Sequence, residues 1–217
     1  MANLRLLRRS VLLACTAACA AAAAAAYAQP AKADLLGLGG LLGGNNCPKT
    51  GLPVFSPWGD LHLYYPVPNG GLESGSTGWS LRGASVVYGN QPFSPSGSHS
   101  LALPSGSTAT SPVVCIGPDD LALRMFASDA GGTDSGLRVR VLWYGLLNQL
   151  VGSSDYATFA PGAGWAPSSS VDSGGGFNLL LPLLGSTSAR IQITPLGSGS
   201  NWRVDDLYVD PWINTAG

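Results

Sequence analysis

The sequence predicts an all-β domain in which two antiparallel sheets stack as a β-sandwich. Three observations lead there. From Cys47 onward, short apolar or alternating runs recur between clusters of Gly, Pro, Ser and Asn, at the spacing of a sandwich built from short strands. Some of these runs, such as the one from Leu137 to Tyr144, alternate with period two. No segment holds a helical period, and no fixed repeat suggests a propeller or solenoid.

The elements follow in chain order. Arg5, Arg8 and Arg9 precede an apolar, alanine-rich run that reaches Ala26-Tyr27-Ala28, a small-x-small cleavage pattern, so residues 1–28 read as a secretory signal peptide. Alanine contributes little to membrane insertion, which argues against a permanent span, and the apolar run before Cys15 is short for a lipoprotein signal. Residues 29–46 are a flexible Gly/Leu-rich leader. The sandwich domain is expected over residues 47–213, a length able to bury a core of its own.

The signal takes three of the eleven basic residues and none of the twelve acidic ones, leaving a mature chain more acidic than the full-length net charge of −1. That argues against nucleic acid or an anionic membrane as partner. Cys47 and Cys115 are then the remaining pair in a chain bound for an oxidising compartment, and a disulfide between them is expected. In the chain-entropy model such a closure stabilises by roughly 4 kcal/mol. A reactive or metal-binding thiol is the alternative, and no histidine ligand motif accompanies it.

The expected strands lie in VFSPWGDLHLYY, WSLRGASVVYG, HSLALP, TATSPVVCI, LALRMFAS, LRVRVLWYG, DYATFA, the end of GFNLLLPLL, ARIQITPL and NWRVDDLYVD. Alternation sorts their faces. Leu137, Val139, Val141 and Trp143 point inward and leave Arg138, Arg140 and Tyr144 outward. Leu121, Leu123 and Met125 point inward, with Arg124 and Phe126 outward. Ile191 and Ile193 point inward, with Arg190 and Gln192 outward. If these strands are neighbours, one sheet carries an arginine and aromatic surface.

The stretch NGGLESGSTGW, residues 69–79, resembles the opening of jelly-roll carbohydrate-binding modules of the galactose-binding-like fold, which carry an N-G-G-F-E element followed by G-W. Trp202-Arg203-Val204-Asp205-Asp206-Leu207 resembles their last strand. Leu72 stands where those modules have phenylalanine and keeps an apolar plug. The chain as a whole is similar to uncharacterised secreted bacterial proteins with a C…F-x-P-W-G-D element, matched by Cys47, Phe55, Pro57, Trp58, Gly59 and Asp60 with a slightly different first spacing. The carbohydrate-binding resemblance implies one structural calcium ion, held by Glu73, the sole glutamate of the chain, and by Asp205 or Asp206. Calcium takes several hard oxygens, and a carboxylate forced inward needs a partner. A second reading stands beside it: the doublet bonds to backbone amides at a bulge, or pairs with Arg82 or Arg203.

Catalytic patterns are sparse. A glycosidase needs two opposed carboxyl groups, no G-x-S-x-G elbow occurs, and His62 and His99 read as surface histidines without a zinc signature. The sequence therefore points to a secreted, extracellular, non-catalytic binding module for carbohydrate or another extracellular polymer. Arg124, Phe126, Arg138, Arg140, Tyr144 and Gln192 are its candidate contacts, with Trp58, Trp165 or Trp212 for binding at loop ends. The alternative is a structural or protein-interaction domain at the cell surface, docking through its leucine-rich segments, and the third reading is an extracellular hydrolase. No span is expected in the mature chain.

Overall fold

The computed structural model describes residues 51–94, 97–114, 122–145, 147–159, 162, 164–172 and 186–210, all within one unit, Gly40–Gly217. The signal, the leader, both cysteines of the expected disulfide, Leu121 and Trp212 lie outside the described residues.

The period-two runs form strands because each presents β-branched or large apolar side chains to one side and polar ones to the other. One sheet has five strands: β2 (Ser80–Arg82), β5 (Thr108–Thr110), β11 (Ser186–Leu196), β7 (Gly136–Gly145) and β8 (Leu150–Phe159), in that order across the sheet. The other runs β10 (Val171–Asp172), β6 (Ala122–Asp129), β12 (Asn201–Asp210), β4 (His99–Pro104) and β3 (Ser85–Tyr88), with β1 (Tyr65–Pro66) on β12 and β9 (Ala166–Pro167) on β6. The ladders within both sheets are antiparallel. The expected two-sheet antiparallel sandwich of jelly-roll form is the fold.

Leu101, Leu103, Leu123, Met125, Val204 and Leu207 of one sheet meet Leu137, Val139, Val141, Trp143, Ile191 and Ile193 of the other in one buried cluster. The inward assignments made from alternation for the described residues of β6, β7 and β11 match it. The run WSLRGASVVYG, expected as one strand, divides between the sheets. β2 and β3 are separated by Gly83, whose φ of +66° lets the chain turn from one sheet to the other.

The segment VFSPWGDLHLYY contributes little strand. Apart from β1 and an isolated bridge between Leu52 and Tyr64, it forms a loop with one 3₁₀ turn at Ser56–Trp58. Its Phe55 and Tyr64 pack with Phe126 in a second buried cluster, outside the main core. This loop covers part of the outer side of β6, and that coverage decides which of the outward residues meet solvent.

Candidate functional site

Four of the six candidate contacts come together on the outer face of the five-stranded sheet. Strand β11 lies beside β7, with Gln192 opposite Arg140 and Thr194 opposite Arg138. The row through Gln192 extends both ways: Thr110 of β5 on one side, then Ser80 of β2, and Asp155 of β8 beyond Arg140. Ser80–Thr110–Gln192–Arg140–Asp155 is thus a line of hydroxyl, hydroxyl, amide, guanidinium and carboxylate crossing five strands. At the usual strand spacing it is about 19 Å long.

Arg140 Nε donates to Asp155 Oδ1 at 2.9 Å, and that hydrogen bond is the main reason the Asp155 carboxyl is held below its ordinary range. Next to this row, the Arg190 guanidinium carbon sits 5.9 Å from the centre of the Tyr144 ring, and its Nη1 donates to the Ser111 carbonyl. Arg138 and Arg82 make no ion pair among the described residues. Alternation exposes this face because the alternate positions Val139, Val141, Ile191 and Ile193 are fully buried.

Arg124 and Phe126 do not belong to this face. Their strand, β6, is in the other sheet, and both side chains are buried, at 6% and 2% exposure. Arg124 Nη1 donates to Asp60 Oδ2 at 2.6 Å, its Nε and Nη2 both donate to the Ser168 carbonyl, and its guanidinium lies 4.2 Å from the Phe55 ring centre. Phe126 is packed by Phe55, Trp58 and Phe93 at ring separations of 5.3–5.6 Å. The alternation correctly placed both residues away from the core. It carried no information about the loop that covers them, so the surface shared by all six candidate residues is corrected to two separate environments. Burial opposes ionisation of Asp60, but hydrogen bonds from the His62 N–H, Arg124 and Tyr64 outweigh it and hold the carboxyl below its usual range.

The acidic doublet occupies a β-bulge. Against β6, the register steps from Asp205–Phe126 to Tyr208–Arg124, three residues on one strand for two on the other, and Asp206 takes a φ of +49°. The extra residue lets both aspartates bond Gln91 while Leu207 returns to the core. Asp205 Oδ2 accepts from the Gln91 N–H and Asp205 Oδ1 from the Asp206 N–H, while Asp206 Oδ2 accepts from Gln91 Nε2. Neither Arg82 nor Arg203 pairs with the doublet; Arg203 bonds Ser100 and the carbonyls of Tyr88 and Gly89.

The N-G-G-L-E stretch closes against this bulge. Asn69 uses its side-chain amide to bind the Gly75 and Thr77 carbonyls and its backbone carbonyl to accept from the Trp79 indole. Both glycines are required by close approach: a Cβ on Gly70 would lie 2.7 Å from the Leu207 carbonyl oxygen, and one on Gly71 2.8 Å from Asp206 Oδ1. Leu72 is buried in the main core, as the apolar plug requires.

The charge of Glu73 acts on the doublet, but its own carboxylate is held elsewhere. It accepts the N–H groups of Ser98 and His99 and the Ser98 hydroxyl, and His99 Nδ1 lies 3.3 Å from Oε2. These bonds, the Ser98 N–H foremost, bring its carboxyl down to about 2. Asp205 moves the other way, up to about 7, chiefly through burial, with the charges of Asp206 and Glu73 adding to it. Among the described residues no three His, Cys, Asp or Glu side chains converge as metal ligands. The three carboxylates have the oxygen chemistry for calcium, but here N–H and O–H donors satisfy them, the doublet chiefly through Gln91 and Glu73 through Ser98 and His99.

Ser98, His99 and Glu73 are the three residue types of a hydrolytic relay, yet the Ser98 hydroxyl and Glu73 both meet the same ring nitrogen, Nδ1. A relay needs them on opposite nitrogens, so this cluster does not have that geometry. Trp58 is 40% exposed but lies edge-on to Phe93, and Trp165 packs on the cluster beneath the loop. A cleft of about 200 Å³, lined by Ala127, Phe159, Pro167 and Trp202 among others, includes none of the candidate residues.

The residues of these two arrangements that the sequence left unnoticed are Gln91, Asp155, Ser80 and Thr110. Gln91 sits in a turn-rich stretch with no period to mark it, and the other three matter only through which strands become neighbours.

No family model matches the chain, and no curated protein matches it by sequence. The fold is similar to that of carbohydrate-binding modules. A CBM22-1 xylan-binding domain from Paenibacillus barcinonensis is 11% identical with a TM-score of 0.46, covering 75% of this chain and 96% of that one. A CBM61 module solved with β-1,4-galactotriose is 16% identical with a TM-score of 0.43, covering 66% and 96%. The enzymatically active domain of tailspike protein 4 from bacteriophage CBA120 is 15% identical with a TM-score of 0.49, and this chain spans only 21% of it. A cyclase from Fischerella is also similar, at 16% identity and a TM-score of 0.44. At such identities these chains assign neither a ligand nor an activity to this one.

Proposed function

We propose that this protein is a secreted, non-catalytic binding module that takes a polysaccharide along the outer face of its five-stranded sheet. The observation that carries the reading is the row Ser80–Thr110–Gln192–Arg140–Asp155. Sugar hydroxyls are both donors and acceptors, and this row offers both along a line long enough for several sugar units. Tyr144 adds a ring beside it for contact with sugar C–H groups. Affinity electrophoresis in gels containing soluble polysaccharides tests the reading. Retardation that is lost in Gln192→Ala and Arg140→Ala supports it, and unretarded migration in every polysaccharide overturns it.

One structural calcium ion at Asp205, Asp206 and Glu73 is part of the same proposal. What supports it is the proximity of three carboxylates, close enough that the charge of Glu73 raises the pKa of both Asp205 and Asp206, and that of Asp206 raises Asp205. The ion would compete with the donors that now satisfy them, chiefly Gln91 and the Ser98–His99 backbone. A melting curve with and without chelator tests it: a lower midpoint in chelator supports the ion, and an unchanged midpoint removes it.

A further inference from the structure

We propose that the polymer recognised by this face is an acidic polysaccharide, one that carries carboxylate groups as uronic acids do. This rests on the binding-face reading above and narrows it. The outward positions of the five-stranded sheet hold four arginines, Arg82, Arg138, Arg140 and Arg190, against one carboxylate, Asp155, among the described residues. In a chain whose formal charge is −1, this places cations on one face.

The state of each cation matters more than the number. Arg140 is paired with Asp155, and Arg190 is engaged with Tyr144 and the Ser111 carbonyl. Arg138 and Arg82 face outward with no ion pair among the described residues. They stand on the same side of the sheet, Arg82 opposite Thr108 on β5 and Arg138 opposite Thr194 on β11 and Thr158 on β8. A guanidinium binds a carboxylate through two parallel N–H donors, which a neutral sugar hydroxyl does not match. The threonines between the two arginines supply the hydroxyl chemistry of the sugar ring.

A nucleic acid fits this face less well. Single strands are held largely by stacking successive bases on several exposed aromatic rings, and among the described residues this face offers one, Tyr144. Asp155 would also oppose a closely spaced line of phosphates.

The test is affinity electrophoresis of the full-length mature chain in gels containing polygalacturonate, in parallel with neutral xylan and galactan, with single-stranded DNA as a competing polyanion. Expected are binding to polygalacturonate at least ten-fold tighter than to the neutral polymers, loss of most of that preference in 0.5 M salt, and a loss of five-fold or more in Arg138→Gln. Asp155→Asn discriminates further. Removing the carboxylate releases Arg140, so binding to the acidic polymer should strengthen, whereas for a neutral sugar it would weaken or stay unchanged. Equal binding to neutral and acidic polymers, indifferent to salt and to Arg138→Gln, overturns the acidic specificity and leaves the binding-face reading in place. Binding to none of the polysaccharides overturns both. DNA binding as tight as polygalacturonate binding overturns the carbohydrate assignment in favour of a general polyanion site.

Discussion

The backbone N–H of Gln91 donates to Asp205 Oδ2 at 3.1 Å, across a sequence separation of 114 residues. The side chain of Gln91 completes the join through Asp206, and its own carbonyl oxygen accepts the N–H groups of Phe93 and Ser94. One glutamine therefore holds the bulge of the last strand and the turn that carries Phe93 onto the aromatic cluster. Gln91→Ala removes three of these four bonds and leaves the half-buried Asp206 carboxylate short of a donor. A loss of about 1–3 kcal/mol is expected, read from the denaturant midpoint, whereas an unchanged midpoint would mean that the turn holds by itself.

Asp205 sets a pH dependence whose sign follows from its raised pKa. An ordinary aspartate has a value near 3.8, and here burial and neighbouring carboxylates lift it to about 7. Between those values the folded protein holds a proton that the unfolded chain has lost, so stability falls as pH rises from about 4 to 7. The slope approaches about 1.4 kcal/mol per pH unit for one group. Melting curves from pH 4.5 to 8 in chelator should show this decline, and Asp205→Asn should flatten it. Glu73 acts in the opposite sense: with its carboxyl at about 2, its contribution is complete above its ordinary value of 4.5 and is lost only as pH falls below that toward 2.

The ion pair of Arg124 and Asp60 is enclosed by the covering loop, with both side chains largely buried. Removing one partner strands the other, so Asp60→Ala should cost about 3–5 kcal/mol. Pairing it with Arg124→Met should recover much of that loss, because the stranded charge is then gone as well. A double-mutant cycle by chemical denaturation measures the coupling, and additive losses would contradict it.

Ile191 and Gln192 are chain neighbours with opposite duties. Ile191 is fully buried between the sheets, and Gln192 lies on the outer row. Ile191→Ala should lower stability by about 2–5 kcal/mol, with polysaccharide binding unchanged at temperatures where the variant is folded. Gln192→Ala should change stability by less than about 0.5 kcal/mol and still abolish retardation by polysaccharide. Melting curves and affinity gels run on both variants separate the two roles.

The sequence by itself determined which side of each strand faces the core, because a pleated strand sends successive side chains to opposite faces whatever it pairs with. Val139, Val141, Ile191 and Ile193 were legible as interior on that ground, and Arg138, Arg140 and Gln192 as exterior. The N-G-G element was legible as a resemblance to a family's opening, and the structure showed why its glycines are needed, since they leave room for the Leu207 backbone and the Asp206 carboxylate. Only the tertiary structure decided which strands became neighbours. Period two fixes the face of a residue and says nothing of the sheet it joins, so Arg124 read like Arg140 although it lies in the other sheet beneath a loop that begins more than sixty residues earlier in the chain. The row of polar groups from Ser80 to Asp155 is likewise a product of pairing across five strands, and register of that kind is set by long-range packing and not by local pattern.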